Sequence, residues 1–357
     1  MMSPKPISED RGGSSHHASL RQTPLQIIHI IGKFMSIWSV YSMYRYLTQT
    51  RASVVLFIFS CLVPSCIIFL IMQKPWKGRP LSNTQVVPSV INGAITALYL
   101  TMWGKGLKSC GPVRAILAEY SGAVLGVLSG VLYGRKGHVW KKVGGLIAML
   151  ASFYFLSQGW AMATYSPISF GDSPDGNEAR TEQVIGMKEM LIPIIAGILS
   201  ALKRVIARRV SLKNQLKRRL NAITIASATC FLFPIAMWDM IIGSTSIELP
   251  FSAWAFTSTI LFGIILIFYI DSIAEERLQM VFSSPRHLMV AGGCIIVMEF
   301  VYKMDFSLPG FLICAAILGF GIHEATSLDL TKKDTSRSSS LSNGFLDDPV
   351  EMSPLPT

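Results

Sequence analysis

WGKGLKSCGPVRAILAEYSGAVLGVLSGVLYGRKGHVWKKVGGLIAMLASFYFL, from Trp103 to Leu156, decides the fold. Two apolar, glycine-spaced segments flank a short basic turn containing Arg135 and Lys136. An acid, Glu119, lies inside the first segment. An ionised side chain at bilayer depth is costly unless it faces protein or water. The stretch therefore reads as part of a polytopic membrane protein with a polar interior.

Composition extends that reading to the rest of the chain. The 357 residues are 51% hydrophobic and 15% charged, with a mean hydropathy of +0.46. Soluble domains carry about 25% charged residues. The net charge of +11 sits in short loops between apolar runs, which is a topology signal. No basic face interleaved with aromatics occurs, so nucleic acid is not an expected partner; the lipid bilayer is. Cys61, Cys66, Cys230, Cys294 and Cys314 fall inside apolar runs and Cys110 does not. With no CxxC or Cys/His cluster, neither a zinc knuckle nor a disulfide framework is indicated. No cofactor is expected either.

A membrane helix needs about 20 mainly apolar residues. Such runs lie at 25–44, 52–72, 86–103, 113–133, 143–163, 190–206, 222–242, 254–273, 288–302 and 306–322. The last two are short and separated only by KMDFS, so nine or ten helices are predicted. The expected organisation is a polar, disordered N-terminus over 1–24 and a transmembrane domain over 25–324. Its halves span about 25–165 and 190–324, and a disordered tail covers 325–357. The N-terminal stretch lacks a signal-peptide pattern, and the first helix is expected to direct targeting. The tail segment SRSSSLSNGFLDDP offers serines for phosphorylation, with a solvated tail as the plain alternative.

Loop charge predicts sidedness. The even-numbered loops, with the run 203–220 counted whole, hold 17 Lys/Arg from Lys74 through Arg286, and the odd-numbered loops hold 7. Basic loops stay cytoplasmic, which places both termini in the cytoplasm. The acidic segment 166–189, with Asp172, Asp175, Glu178, Glu182 and Glu189, then faces the lumen or exterior. The basic run 203–220 divides the bundle into two sets of five runs. Pro112 opens the fourth run and Pro285 the ninth, each followed by a hinge and a glycine-rich run. An odd number of helices per repeat inverts one half against the other, an architecture used by secondary transporters.

The residues from the third to the fifth run resemble the drug/metabolite transporter superfamily, which includes nucleotide-sugar and triose-phosphate carriers. A tighter resemblance is carried by QKPWKGRP at 73–80, GLKSCGPVRAILAEYS at 106–121 and FYIDSI at 268–273. These are similar to the N-terminal membrane extension of the long cation-diffusion-facilitator zinc transporters of the early secretory pathway, of the zinc transporter 5 and plant metal tolerance protein type. The resemblance implies a multi-pass protein of the Golgi and early secretory pathway linked to zinc homeostasis, with a zinc-transporter subunit as partner. It also marks a departure. The family's zinc site pairs His with Asp one helical turn apart in a following six-helix domain. None of His16, His17, His29, His138, His287 and His323 is followed four residues on by Asp or a second His. The family's zinc chemistry does not carry over to these residues; a truncated or alternative product, or a stand-alone extension, is the expectation. A carrier of an anionic metabolite or nucleotide sugar, and a purely structural anchor, are the other readings.

Four residues, Lys33, Arg114, Glu119 and Asp271, stand out as cavity candidates. Glu119 reads either as a substrate or proton-coupling carboxylate, or as half of a structural pair with Arg114 or Lys33. Lys33 follows His29 by one turn on a face shared with Ile37, Trp38 and Tyr41. There it suits an anionic substrate, or it snorkels to the interface. Asp271 reads as an interfacial acid facing Arg277 or Arg286, and Glu299 as the partner of Lys303. Gly122, Gly126 and Gly130 give the fourth helix a small-residue face for close packing. No Gly-rich phosphate loop and no soluble Ser/His/Asp grouping occurs, so no enzymatic activity is expected.

Overall fold

A computed structural model describes residues 14–50, 52–77, 81–133, 139–162, 187–210, 214–242, 253–276, 284–304 and 306–342. These residues form ten helical rods and no strand. We number them α1 (Ser14–Thr50), α2 (Val54–Gln73), α3 (Asn83–Cys110), α4 (112–133), α5 (Val139–Ser157), α6 (Met187–Val210), α7 (Asn214–Ile242), α8 (253–276), α9 (Pro285–Tyr302) and α10 (Leu308–Ser342). Six of them, α2, α3, α6, α7, α8 and α10, contain spans long and apolar enough to cross a membrane.

Local chemistry sets the ends. Ser53 caps α2 by accepting from the Leu56 amide, and Ser82 with Gln85 forms a capping box on α3. Each satisfies amides that a helix N-terminus leaves without carbonyl partners. Gly111 ends α3 at φ 83 and Pro112 restarts the chain as α4. Pro at the first helical position loses no hydrogen bond. Lys303 closes α9 in the left-handed region (φ 50) and donates its amide to the Glu299 carbonyl. That break separates α9 from α10 and gives ten rods instead of nine.

Two rods change their winding. In α4 the chain is α-helical over Pro112–Ala118, tightens to a 3-10 turn over Glu119–Gly122, and resumes over Ala123–Tyr133. In α8 it widens to a π-helix over Thr259–Leu266. Such departures recur at functional sites.

Two helices outrun their apolar sequences. α1 begins at Ser14, so part of the terminus predicted as disordered over 1–24 is helical. α10 continues to Ser342, well into the tail assigned to 325–357. A helix already nucleated in an apolar span gains one hydrogen bond for each further residue fixed. The polar flanks follow for that reason. Residues 1–13, the turn 134–138, most of the acidic segment 166–189 (to 186) and residues 343–357 lie outside the described residues.

The rods pack around two apolar cores. Ile37, Leu117, Phe153, Ile295 and Leu318 join α1, α4, α5, α9 and α10. Leu47, Leu62, Leu107, Leu232 and Ile260 join α1, α2, α3, α7 and α8. The most extensive packing is α3 on α6, α1 on α8, α5 on α10, α3 on α7, α4 on α6 and α2 on α7. The outer surface is itself apolar: Ile71, Leu98, Trp140, Trp238, Met289 and Phe300 are exposed. Contiguous apolar surface of this kind marks a membrane or protein contact. Together with the six spans, it is the surface of a multi-pass membrane protein.

Candidate functional site

The tightened turn of α4 is pressed against α6. Ser121 Oγ donates to the Ile194 carbonyl at 2.7 Å. A methyl group on Gly197 would collide with the Ala118 carbonyl and Ser121 Oγ, and one on Gly122 would lie 2.7 Å from Ala201 Cβ. Small residues permit this approach of helix backbones. The same does not hold along the whole small-residue face, since a Cβ at Gly126 would meet nothing within 4 Å.

The close approach presents Glu119 and Tyr120 to the interior. The Tyr99 hydroxyl of α3 donates to Glu119 Oε1 at 2.7 Å. The Lys203 ammonium of α6 lies over the Tyr99 ring, 4.3 Å from its centroid. This geometry brings an acid, a phenol and a cation together. Next along α6, Arg204 bridges to Asp271 of α8 at 3.2 Å. Asp271 thus faces α6, not Arg286, which is exposed; Arg277 lies outside the described residues.

Tyr120 turns toward α9. Its hydroxyl donates to the His287 carbonyl at 3.0 Å and lies 2.9 Å from His287 Nδ1. The His287 ring lies 5.4 Å from that of His29 on α1. One turn beyond His29, Lys33 is buried at 5% exposure, so it does not snorkel to the surface. Lys33 lies within electrostatic reach of His29, His287 and Cys294. His287 in turn feels Arg204, and Lys203 feels Arg204, Glu119 and Asp271. Lys33, Glu119 and Asp271 therefore belong to one electrostatic neighbourhood with Lys203, Arg204 and two histidines. It holds three cations and two acids, drawn from α1, α4, α6, α8 and α9.

Arg114 stands apart from it. Although 2% exposed, its Nε donates to the Leu156 carbonyl of α5 at 2.9 Å. Its electrostatic neighbours are Cys110 and Tyr44. A second polar group lies at that end. Tyr41 donates to Glu299 Oε1 at 2.5 Å, and Trp38 Nε1 donates to the Tyr302 hydroxyl at 3.1 Å. The predicted Glu299–Lys303 pairing is thus replaced by Glu299–Tyr41. Lys303 occupies the left-handed cap, out of helical register with Glu299, and is exposed.

Tyr99, Tyr120, Lys203, Arg204 and His287 escaped the sequence reading as site residues. Lys203 and Arg204 fall at the end of the predicted run 190–206 but count there as part of the basic charge of 203–220. The apolar residues Val205, Ile206 and Val210 that follow them carry the signal that α6 continues past both. Among the described residues no group of three or more His, Cys, Asp or Glu is placed to hold a metal ion.

No family model matches the chain. A solved structure described only as "Crystal structure of protein" aligns over 84% of this chain and 96% of its own, at 16% identity and a TM-score of 0.48. A likeness of that size carries no argument about fold or function.

Proposed function

We propose that this chain is a secondary carrier for an anionic metabolite of the nucleotide-sugar class, working between two inverted five-helix halves. The observation that carries the reading is the charged neighbourhood of buried Lys33 with the half-buried Lys203, Arg204, Glu119 and Asp271. Charged groups inside a membrane bundle mark substrate and ion pathways, and a surplus of cations suits an anion.

The helix pairing supports the inverted repeat. Exchanging α1 with α6, α2 with α7, α3 with α8, α4 with α9 and α5 with α10 carries the α3–α6 contact onto α8–α1. It carries α4–α6 onto α9–α1 and leaves α2–α7 and α5–α10 in place. Arg114 and His287 correspond under this exchange. Each is the third residue of a proline-opened helix, and both are 2% exposed. The binding region of such carriers lies where the halves meet, and the charged neighbourhood draws on helices from both. The loop charge adds cytoplasmic termini to this reading.

A second reading rests on the sequence stretches shared with the long zinc transporters. In it the chain is a membrane partner of a zinc-transporting subunit in the Golgi and early secretory pathway, contributing assembly and stability and no metal path of its own.

Uptake into proteoliposomes tests the first reading. The purified chain accumulates a nucleotide sugar, and Glu119→Gln or Lys33→Ala lowers uptake by tenfold or more, about 1.4 kcal/mol. Uptake insensitive to both substitutions removes this site. If uptake is absent and deletion of the chain lowers zinc delivery to secretory enzymes, the second reading replaces the first.

A further inference from the structure

Glu299 is a buried acid that the charged neighbourhood does not use. It is 3% exposed, and Tyr41, whose hydroxyl it accepts from, is 1% exposed. Among the described residues no cation forms a salt bridge with it. Removing an ionised carboxylate from water is costly unless a cation or several donors offset the loss. Here one phenol is the side-chain partner.

The surroundings of Glu299 are defined on each helix packed against it. From α1 it faces Tyr41 and Tyr44, with Arg114 of α4 beyond Tyr44. On α9 its neighbours are Tyr302 and Lys303. From α10 the stretch 308–322 brings no charged residue. One turn along α9, the Tyr302 hydroxyl lies 3.0 Å from Ser42 Oγ, and its ring lies 5.4 Å from that of Tyr41. Ser42 and Tyr302 also line an open cavity of about 300 Å³ with Arg45, Gln49 and Trp254. Water that enters this cavity reaches Tyr302, whose ring lies against that of Tyr41, the hydrogen-bond partner of Glu299.

We propose that Glu299 binds and releases a proton taken from this cavity, and that Tyr41 and Glu299 form a proton-operated latch between the two halves. The bond joins α1 of one half to α9 of the other. It survives both protonation states. Tyr41 donates to the carboxylate, and in the neutral acid the Glu299 hydroxyl donates to the Tyr41 oxygen. What changes is one buried charge at the contact between halves, the type of change that biases a two-state packing. The latch rests on the carrier reading; the proton site does not.

Infrared difference spectroscopy of the full chain in liposomes, stepped between about pH 4 and pH 9 to bracket carboxyl titration, reads the proton site directly. On acidification a carboxyl C=O component appears over the band of the chain's other acids. Glu299→Gln removes it, Glu119→Gln leaves it, and Tyr41→Phe shifts its midpoint. The side-chain amide that Glu299→Gln introduces still accepts from Tyr41, so this variant keeps the α1–α9 bond. In uptake assays an imposed proton gradient stimulates the native chain several-fold and leaves Glu299→Gln unstimulated. A C=O spectrum that is the same in the native chain and in Glu299→Gln overturns the proton site even where uptake proceeds. Gradient dependence that persists in Glu299→Gln overturns the latch. An absent uptake in the native chain, beside a component that Glu299→Gln removes, defeats the carrier reading and leaves the proton site standing.

Discussion

The Tyr99 hydroxyl donates to Glu119 Oε1 at 2.7 Å, so the acid at the tightened turn of α4 is held by the helix that precedes it. Tyr99→Phe keeps the ring under Lys203 and deletes the donor. A half-buried carboxylate that loses its hydrogen bond costs about 1–3 kcal/mol. The variant unfolds at a lower temperature in detergent than the native chain and, on the carrier reading, its nucleotide-sugar uptake falls with that of Glu119→Gln. Unchanged stability and uptake together would show that the bond contributes nothing.

Gly197 is where α6 touches the α4 turn. Gly197→Ala drives a methyl group into the Ala118 carbonyl and Ser121 Oγ, and both belong to backbone or short side chains that cannot swing away. Overpacking of this kind costs about 1–3 kcal/mol. Gly144→Ala is the control, since a Cβ there meets nothing within 4 Å and alanine favours the helix. Thermal unfolding in detergent should separate the two, with Gly197→Ala lower and Gly144→Ala equal to or above the native chain. Equal midpoints would mean that the α4–α6 contact is looser than described.

The Arg204–Asp271 bridge spans 3.2 Å with side chains 30% and 26% exposed. Partly solvated pairs contribute about 0.2–1 kcal/mol. A double-mutant cycle with Arg204→Met and Asp271→Asn therefore gives a coupling below about 1 kcal/mol in unfolding experiments. On the carrier reading the same substitutions lower uptake far more than stability. Uptake that tracks stability one for one would make the bridge a structural tie.

Each apolar run predicted as a helix lies on a helical rod, though the fifth, predicted to 163, ends at Ser157, because some twenty apolar residues leave the backbone few other ways to satisfy its polar groups in lipid. The partners of the interior charges were not legible in the same way. Tyr41 and Glu299 are 258 positions apart, and no periodicity links such residues. Neighbours in sequence misled for a physical reason. Lys303 sits one turn after Glu299, but the helix ends there in a left-handed residue, which removes the i,i+4 geometry. Lys203 and Arg204 count as loop charge because they open the basic run 203–220. Their use depends on α6 packing on α3 and on Arg204 reaching Asp271 of α8, which only the tertiary structure reveals.

Sidedness gives a test that one helix decides. Between Asp175 and Lys213 the described structure holds a single rod, α6, of 24 residues. At 1.5 Å per residue it is about 36 Å long, enough for a hydrocarbon core of about 30 Å. One crossing places the two positions on opposite sides, with Lys213 in the cytoplasm by the loop-charge rule. In a chain whose six cysteines are replaced, Asp175→Cys is labelled by an impermeant maleimide only from the lumenal or exterior side. Lys213→Cys is labelled only from the cytoplasmic side. The proposed inversion of the halves depends on this crossing, because α6 begins the second half where α1 begins the first. Labelling of both from the same side would leave α6 on one face of the bilayer, and the two sets of five helices would no longer be inverted.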